Sequence, residues 1–522
     1  MNKNTSKAKL SAVIDMGASA IRIVIAEIDK NGDWKRIDRA VKPVPLGRDV
    51  FVSGYISRET SFLVIQILGG FTELLAGWNI PREDVQVIAT SAVREAKNRD
   101  TFIDQVFLRT GLRIHVLEGI EENHLTYLAV EHAVRDLKAD MARSNSLIIE
   151  VGAGSTDIML LHRGKVLTAH TLRLGAIRME RYIDPDSGNY SQIEDSIRDI
   201  IRDTQDILDA EFRPGRRGET SLSRIKYFVA VGRSARTAAE KAGTKVKAHY
   251  SLIDKKDFLD FVSRIQKCTV DECVRMLQIT YYEAEGLIPS LIICKHFLEQ
   301  TQAGKLLVPD AGLREGVFLS FALDTTVVEK RFFSQVITSA VSLGRKYHFE
   351  EEHALHVAKI ALAIFDQLTA EHGLDAQARL LLETSAILHD IGNYIEPLHH
   401  DRHGQYIIAH SQIFGFSQND IKNISFVVRF HRGLSPHASP RGFASLPREE
   451  RLRVLKITAI LRLADSLDRG HTRKIPAVRL EKTQDEILLH ADYEGEPFAE
   501  RKGILLKSRM FEEVFGYRVR LV

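Results

Sequence analysis

The period of the hydrophobic pattern shifts along the chain, and each shift marks a change of architecture. From Leu10 to Ile28, LSAVIDMGASAIRIVIAEI, a β-branched run enters a turn of small residues and leaves as alternating apolar positions, which predicts two strands joined by a hairpin. Leu147 to Leu160, LIIEVGAGSTDIML, repeats the plan, with Glu150 before the turn and Asp157 after it, as Asp15 precedes the turn of the first. An internal repeat of this kind predicts duplicated units. Between the hairpins lie a helical pattern at Glu59 to Leu75 and strand patterns at Val85 to Ala89 and Arg113 to Leu117. With IKYFVAVGRSARTAA as a further strand, turn and helix start, the alternation predicts an α/β fold. The polar run RPGRRGETS at Arg213 to Ser221 is expected to be a surface loop.

From Val327 the period becomes helical. EEHALHVAKIALAIFDQLTAEHG carries apolar residues at helical spacing and ends in glycine, and similar patterns cover Ala376 to Leu388, Ile421 to Phe430 and Glu449 to Leu467. After Ile475, VRLEKTQDEILLHADYE and GYRVRLV alternate and predict a small closing sheet. The expected domains are therefore 1–130 and 131–323, both α/β, an all-α domain over 324–474, and a small α+β appendage over 475–522.

Composition narrows the field without choosing a function. The 522 residues are 44% hydrophobic and 27% charged, which is the balance of a folded globular protein. With a formal charge of +3, no global field favours nucleic acid or a membrane, so anion binding must be local. The three cysteines make no C-x-x-C pair, which fits a reducing compartment. No signal core stands at the N-terminus, and apolar runs are expected to break before the roughly 18 residues of a membrane span. A cytoplasmic protein is expected, with no nucleic-acid or membrane partner.

Turns of Gly, Ala and Ser let backbone N–H groups approach an anion, because no side chain blocks them. Gly17, Ala18 and Ser19, and Gly152, Ala153, Gly154, Ser155 and Thr156, are the candidate phosphate-binding residues; a purely structural hairpin is the plain alternative. Asp15, Glu150 and Asp157 are the candidate ligands for Mg²⁺ (or Mn²⁺), which takes a few carboxylates together with phosphate oxygens. The paired hairpins resemble the two phosphate motifs of the actin, Hsp70 and sugar kinase superfold, which implies a site between two related α/β domains. A kinase of that superfold would need a nucleoside pocket, and AVGRSART offers only Gly232 where a Gly-rich turn commonly stands.

Four further segments resemble the exopolyphosphatase and guanosine pentaphosphate phosphohydrolase (Ppx/GppA) family: ATSAVREAKN, HVLEGIEENHLTYLAV, LRLGAIRM and DAGLREG. The resemblance implies hydrolysis of a terminal phosphoanhydride, on polyphosphate or guanosine pentaphosphate, in a homodimer. It also implies an acid within GIEEN as general base, Glu122 or else Glu121, and a phosphate contact from Arg94; Arg22 is a further candidate. The chain departs from the family pattern in both loops. DMGASAIRI has Ala18 and Ala20 where a pattern near DIGSNSFRL has hydroxyl or amide side chains, and EVGAGSTD has Glu150 and Ala153 in a pattern near DIGGGSTE. A carboxylate displaced by about 1 Å can cost roughly 10²-fold in rate, so the longer Glu150 bears directly on turnover.

Eleven of the 20 histidines fall between His348 and His437. His353, the adjacent pair His389 and Asp390, and Asp465 stand in the order of the HD superfamily of metal-dependent phosphohydrolases, a resemblance that implies a divalent transition metal. Imidazole and carboxylate together suit Mn²⁺, Fe²⁺ or Zn²⁺. His399, His400, His403, His410 and His431 are candidates for a second metal or for anionic phosphate. Two rival functions follow: a metal-dependent nucleotide phosphohydrolase acting at this HD-type site, or a non-catalytic sensor of polyphosphate or an alarmone.

Overall fold

The computed structural model describes residues 9–28, 34–172, 174–180, 194–202, 204, 222–247, 249–284, 286–322, 325–432, 442–493 and 497–522. It divides into two units, Met1–Phe332 and Phe333–Val522. The loop expected at 213–221 lies outside the described residues.

In the first unit, β1 (Lys9–Met16) is buried from Ser11 onward on both faces, and apart from Ser11 and Asp15 that part of its sequence is apolar rather than alternating. It accordingly sits inside a five-stranded sheet of order β3-β2-β1-β4-β5, with β2 (Ala20–Ile28), β3 (Trp34–Pro43), β4 (Val85–Ala89) and β5 (Ile114–Val116). β3 forms the edge and carries Lys35, Arg36, Arg39 and Lys42, charges that discourage pairing with another chain. The second sheet has the order β10-β11-β12-β9-β6-β7-β8. Its strands are β6 (Asn145–Val151), β7 (Thr156–His162), β8 (Lys165–Leu172), β9 (Ile225–Val231), β10 (Thr244–Lys247), β11 (Tyr250–Asp254) and β12 (Lys305–Pro309). β8-β7-β6-β9-β12 repeats β3-β2-β1-β4-β5 in order, with an antiparallel hairpin at one end and parallel strands at the other. The repeat seen in two short turns thus extends to whole sheets, and the fold is a duplicated actin-like one.

Helices cover the sheets: α1 (Leu46–Ser53), α2 (Arg58–Gly77), α3 (Ser91–Glu95), α4 (Arg99–Thr110) and α5 (Gly119–Ala133) with the first, and α6 (Arg233–Ala242) and α7 (Leu287–Glu299) with the second. α2 is started by Ser57, whose hydroxyl accepts from the Thr60 amide at 3.1 Å, and it buries Val64, Leu68, Phe71 and Leu75 at helical spacing. By length and composition alone α2 is apolar enough to cross a membrane, where no such segment was expected. Its buried stripe belongs to the core of the first sheet.

Two boundaries differ from expectation. α5 runs through residue 130, so no break falls there. α8 (Leu313–Ala322) packs back on α5 and β1, where Val317 and Phe318 join Val13, Ile88 and Leu125 in one cluster. The last helix of the second half therefore completes the core of the first. α9 (Thr325–Lys346) then runs across the division at Phe333, in place of a boundary at 324.

The second unit is helical. α10 (Glu351–Gln367), α11 (Ala376–Leu388), α12 (His400–Ala409), α13 (Gln418–Phe430) and α14 (Arg448–Ser466) pack on one another. Two of these starts are capped by side chains: at α11 Asp375 accepts from the Ala378 amide at 2.8 Å, and at α13 Ser417 and Asp420 form a reciprocal capping box. The appendage supplies a three-stranded sheet of β13 (Val478–Lys482), β14 (Glu486–Ala491) and β15 (Arg518–Leu521), with α15 (Phe498–Lys507) and α16 (Arg509–Phe515) against α14.

Candidate active site and metal centre

Register places the acids of the first unit. In the first hairpin Asp15 lies directly across from Arg22, and in the second Glu150 lies directly across from Asp157. Facing like charges destabilise a sheet, so the second pair is a local conflict that folding alone would not select. Asp15 is internally balanced: its Oδ2 is 3.3 Å from Arg22 Nη1 and 3.6 Å from Arg314 Nη1 on α8. Glu150 and Asp157 instead receive hydroxyl hydrogen bonds, from Thr126 Oγ1 at 2.7 Å and Thr171 Oγ1 at 2.5 Å.

Glu122, in the first turn of α5, joins this cluster and contacts Arg94 of α3. Arg94 is held in turn by a 2.6 Å hydrogen bond to the Leu117 carbonyl. Thr126 is one helical turn beyond Glu122, so one face of α5 supplies both the acid and the hydroxyl that holds Glu150. Burial pushes the Glu122 carboxyl up to about 8, with Asp157 and Glu150 adding to the rise and Arg94 opposing it. Asp157 is pushed up to about 7, first by burial and then by Glu150. Glu150 is also raised, by burial, although Thr126 and Arg236 act against the rise. Arg94 shifts upward because the surrounding acids outweigh its own burial. Three largely enclosed carboxylates, each held above its ordinary range, form a site that is short of positive charge.

Oxygen-only donors around a charge deficit fit Mg²⁺ or Mn²⁺. Among the described residues, the ligand atoms of Glu122, Glu150 and Asp157 do not converge closely enough to hold an ion by themselves, so such an ion would need water or phosphate oxygens to complete its shell beside Glu150 and Asp157. Asp15, balanced by two guanidinium groups, is placed to organise Arg22 and Arg314. Glu121 points elsewhere, into a 2.8 Å contact with His115 on the exposed side of the helix.

The turns are held rigidly. Gly17 N donates to Ala20 O at 3.0 Å and Gly152 N to Ser155 O at 2.8 Å. The Ala18 carbonyl accepts from Gly47 N at 2.6 Å and that of Ser19 from Val44 N at 3.1 Å. The carbonyls of Gly152 and Ala153 accept from Ala176 N and Ile177 N, and that of Gly154 accepts from Arg178 Nε at 2.6 Å. With these carbonyls engaged, the second turn cannot present them to an anion. Ser155 lies in the turn and is almost fully buried. The Thr156 hydroxyl proton is committed to the Leu174 carbonyl at 2.5 Å, so this residue braces the turn from behind. The substituted positions are packed: Ala18 and Ala20 are buried, and Ala153 packs against the core of the first sheet.

In the helical unit the ligand candidates sit at helix ends. His353 lies in the first turn of α10, His389 and Asp390 follow α11, His400 opens α12, His431 follows α13, and Asp465 lies at the end of α14. Gly392 makes the junction possible, since a Cβ there would collide with the backbone of His400 and Gly404. His389 Nε2 is 3.7 Å from Asp390 Oδ1 and 3.8 Å from Asp465 Oδ1. Asp390 Oδ1 is also 3.2 Å from His400 Nε2 and 3.7 Å from His431 Nε2.

Every one of these imidazoles is anchored through Nδ1: His353 to Asp468 Oδ2 at 2.8 Å, and His389, His400 and His431 to the carbonyls of Ala386, Pro397 and Val428 at 2.8, 2.8 and 2.6 Å. For His353 and His389 a proton fixed at Nδ1 leaves the Nε2 lone pair directed inward, the arrangement of a metal-bound histidine and its supporting carboxylate or carbonyl. His400 and His431 instead face each other through their Nε2 atoms at 3.1 Å, so one of that pair carries a proton there. Among the described residues, the buried Nε2 atoms of His353 and His389 have no hydrogen-bond partner. His353, His389 and Asp465 form one group able to hold an ion, and Asp390, His400 and His431 another. Burial would raise the Asp390 carboxyl, but His389 and His431 hold it below its ordinary range. Burial and His389 push His431 down to about 3, which keeps it neutral. The donor set fits a divalent transition metal. His399, His403 and His410 stay outside these groups; His403 faces Glu396 at 3.5 Å and His410 bonds the Tyr406 carbonyl at 2.9 Å.

Residues 24–325 match the Ppx/GppA phosphatase family, and residues 337–502 match domain III of that family. The chain belongs to the Ppx/GppA phosphatase family. It is 24% identical over 468 residues to a guanosine-5'-triphosphate,3'-diphosphate pyrophosphatase of Pseudoalteromonas translucida (strain TAC 125), covering 86% of each chain. A protein of the same description from Pseudoalteromonas atlantica is 24% identical over 466 residues, covering 87% of this chain and 86% of that one. The crystal structure of an exopolyphosphatase from Cytophaga hutchinsonii superposes with a TM-score of 0.51 at 19% identity, over 60% of this chain and 98% of that one, which shows the shared fold.

Within this Ppx/GppA member, several site residues escaped sequence reasoning. Arg314 stands inside DAGLREG, and its signal was membership of a matched segment. Thr126 could have been found as the residue one turn after Glu122. Thr171, Arg236 and Asp468 had no local signal, since each reaches its partner through the fold.

Proposed function

We propose that this hydrolase removes the terminal phosphate of guanosine pentaphosphate or inorganic polyphosphate in its first unit, with Glu122 as general base. The cluster of Glu122, Glu150 and Asp157 beside two small-residue turns carries the reading, and the names of the relatives support the substrate class. Glu122 takes a proton from water as the water oxygen attacks the terminal phosphorus, and the bond from phosphorus to the bridging oxygen breaks. Inorganic phosphate leaves with a chain one phosphate shorter. A carboxyl raised to about 8 serves as that base once its own proton has left, at alkaline pH or when a bound cation offsets the surrounding acids. Arg94 holds Glu122 in place, while Thr126 and Thr171 orient Glu150 and Asp157. A divalent ion held by these acids would neutralise charge building on the phosphoryl oxygens. Phosphate release from both substrates, compared between wild type and Glu122→Gln, tests the reading; equal rates in the two proteins would remove Glu122 from the role.

A second reading is favoured by the inward Nε2 lone pairs of the helical unit: a metal-dependent phosphohydrolase site at His353, His389, Asp390 and Asp465. Phosphate release from nucleotides that survives Glu122→Gln and is lost in His389→Ala/Asp390→Ala would establish it. Loss in neither variant would exclude it.

A further inference from the structure

α15 in the C-terminal appendage meets the end of α14 at an unusually close point. A Cβ on Gly503 would lie 3.1 Å from Ser466 O, 3.2 Å from Ser466 Cβ and 3.3 Å from Arg469 Cδ, so glycine sets the spacing of the two helices. Glu500 and Ile504 are buried on either side of it. Residue 507 is one helical turn beyond 503 and shares its face. The contact that needs a glycine therefore carries Lys507 to Asp465, the residue next to Ser466, where its ammonium group meets Asp465 Oδ2. The other oxygen, Oδ1, faces His389 Nε2 at 3.8 Å. One carboxylate is thus divided between two directions, the His/Asp centre and the appendage.

We propose that Lys507 is a positioning residue of the His/Asp centre: by holding Oδ2 it confines Asp465 to a one-oxygen contact with a divalent ion, and so makes metal affinity depend on docking of the appendage. This rests on the reading that His353, His389, Asp390 and Asp465 hold such an ion. The family match for domain III ends at residue 502, before both Gly503 and Lys507. An ammonium group near a cation also repels it, but here it holds Oδ2 and leaves Oδ1 as the oxygen that faces His389. The orienting effect governs, as for other groups that fix metal ligands from behind.

The test titrates Mn²⁺ into the full-length protein by calorimetry, with the binding lost in His389→Ala defining the site that includes Asp465. Lys507→Met is expected to weaken that binding by about 10–100-fold, the usual effect of removing a group that orients a ligand. Lys507→Arg restores most of the affinity. Gly503→Val, which leaves every polar group intact, reproduces the loss by pushing α15 away. Unchanged or tighter binding in Lys507→Met overturns the proposal and makes Lys507 a bystander or a competing cation. Equal loss in the Met and Arg variants overturns it as well, assigning the effect to packing. Wild-type protein with no His389-dependent Mn²⁺ binding rejects the underlying metal reading, an outcome distinct from the other two.

Discussion

Replacing Glu122 with Gln should abolish most turnover and, at alkaline pH without metal, make the first unit more stable. In the folded protein the Glu122 carboxyl holds its proton up to about 8, against an ordinary value of 4.5. Between those values the folded state binds a proton that the unfolded state has released, so stability is complete at the acid end and falls as pH rises through about 8. At about 1.4 kcal/mol per pH unit, the span amounts to as much as about 5 kcal/mol. Glutamine has the shape of the protonated acid and cannot ionise, so the variant escapes this loss. Urea denaturation of the first unit in EDTA, followed from about pH 5 to about pH 8.5, measures the effect. With a slope near ~3 kcal/mol/M, the variant's midpoint should lie roughly 1–2 M above wild type at the alkaline end and coincide with it at the acid end. Parallel pH profiles, or a less stable variant at alkaline pH, would refute the argument that these acids are in electrostatic conflict.

The same conflict makes Mg²⁺ a stronger stabiliser at about pH 8.5 than at about pH 6, because protons on Glu122 and Asp157 compete with the ion; melting temperatures with and without Mg²⁺ at both pH values check this. Thr126→Val takes a hydrogen bond from the Glu150 carboxylate, with an expected cost of about 1–3 kcal/mol in stability, read by urea denaturation, and a fall in kcat in the phosphate-release assay. Asp468→Ala frees the His353 ring and should weaken Mn²⁺ binding at the helical centre by about 10–100-fold, while phosphate release that depends on Glu122 is unchanged.

The hairpins were legible in the sequence because their turns demand small residues and their strands alternate or run apolar, both local requirements. Glu122 and the His353, His389, Asp390 and Asp465 quartet were legible through motif order. What local pattern could not convey is where strands and helices return. Arg314 reaches Asp15 only because α8 folds back onto the first sheet. Thr171 reaches Asp157 through the pairing of β7 with β8, and Lys507 reaches Asp465 across the α14 to α15 contact. The concern over the longer Glu150 also changes in the folded protein. Its oxygen is captured by Thr126, so the extra methylene is met by a partner on α5 rather than left to wander.

The most direct test of the account is phosphate release from guanosine pentaphosphate and long-chain polyphosphate by wild type, Glu122→Gln and His389→Ala/Asp390→Ala, measured side by side with Mg²⁺ or Mn²⁺. Wild type and the double variant are expected to release phosphate from at least one substrate, with release by Glu122→Gln reduced about 10³-fold or more, within the range for loss of a general base. Tight binding of either substrate with no release by wild type would contradict it and leave a sensor in place of an enzyme.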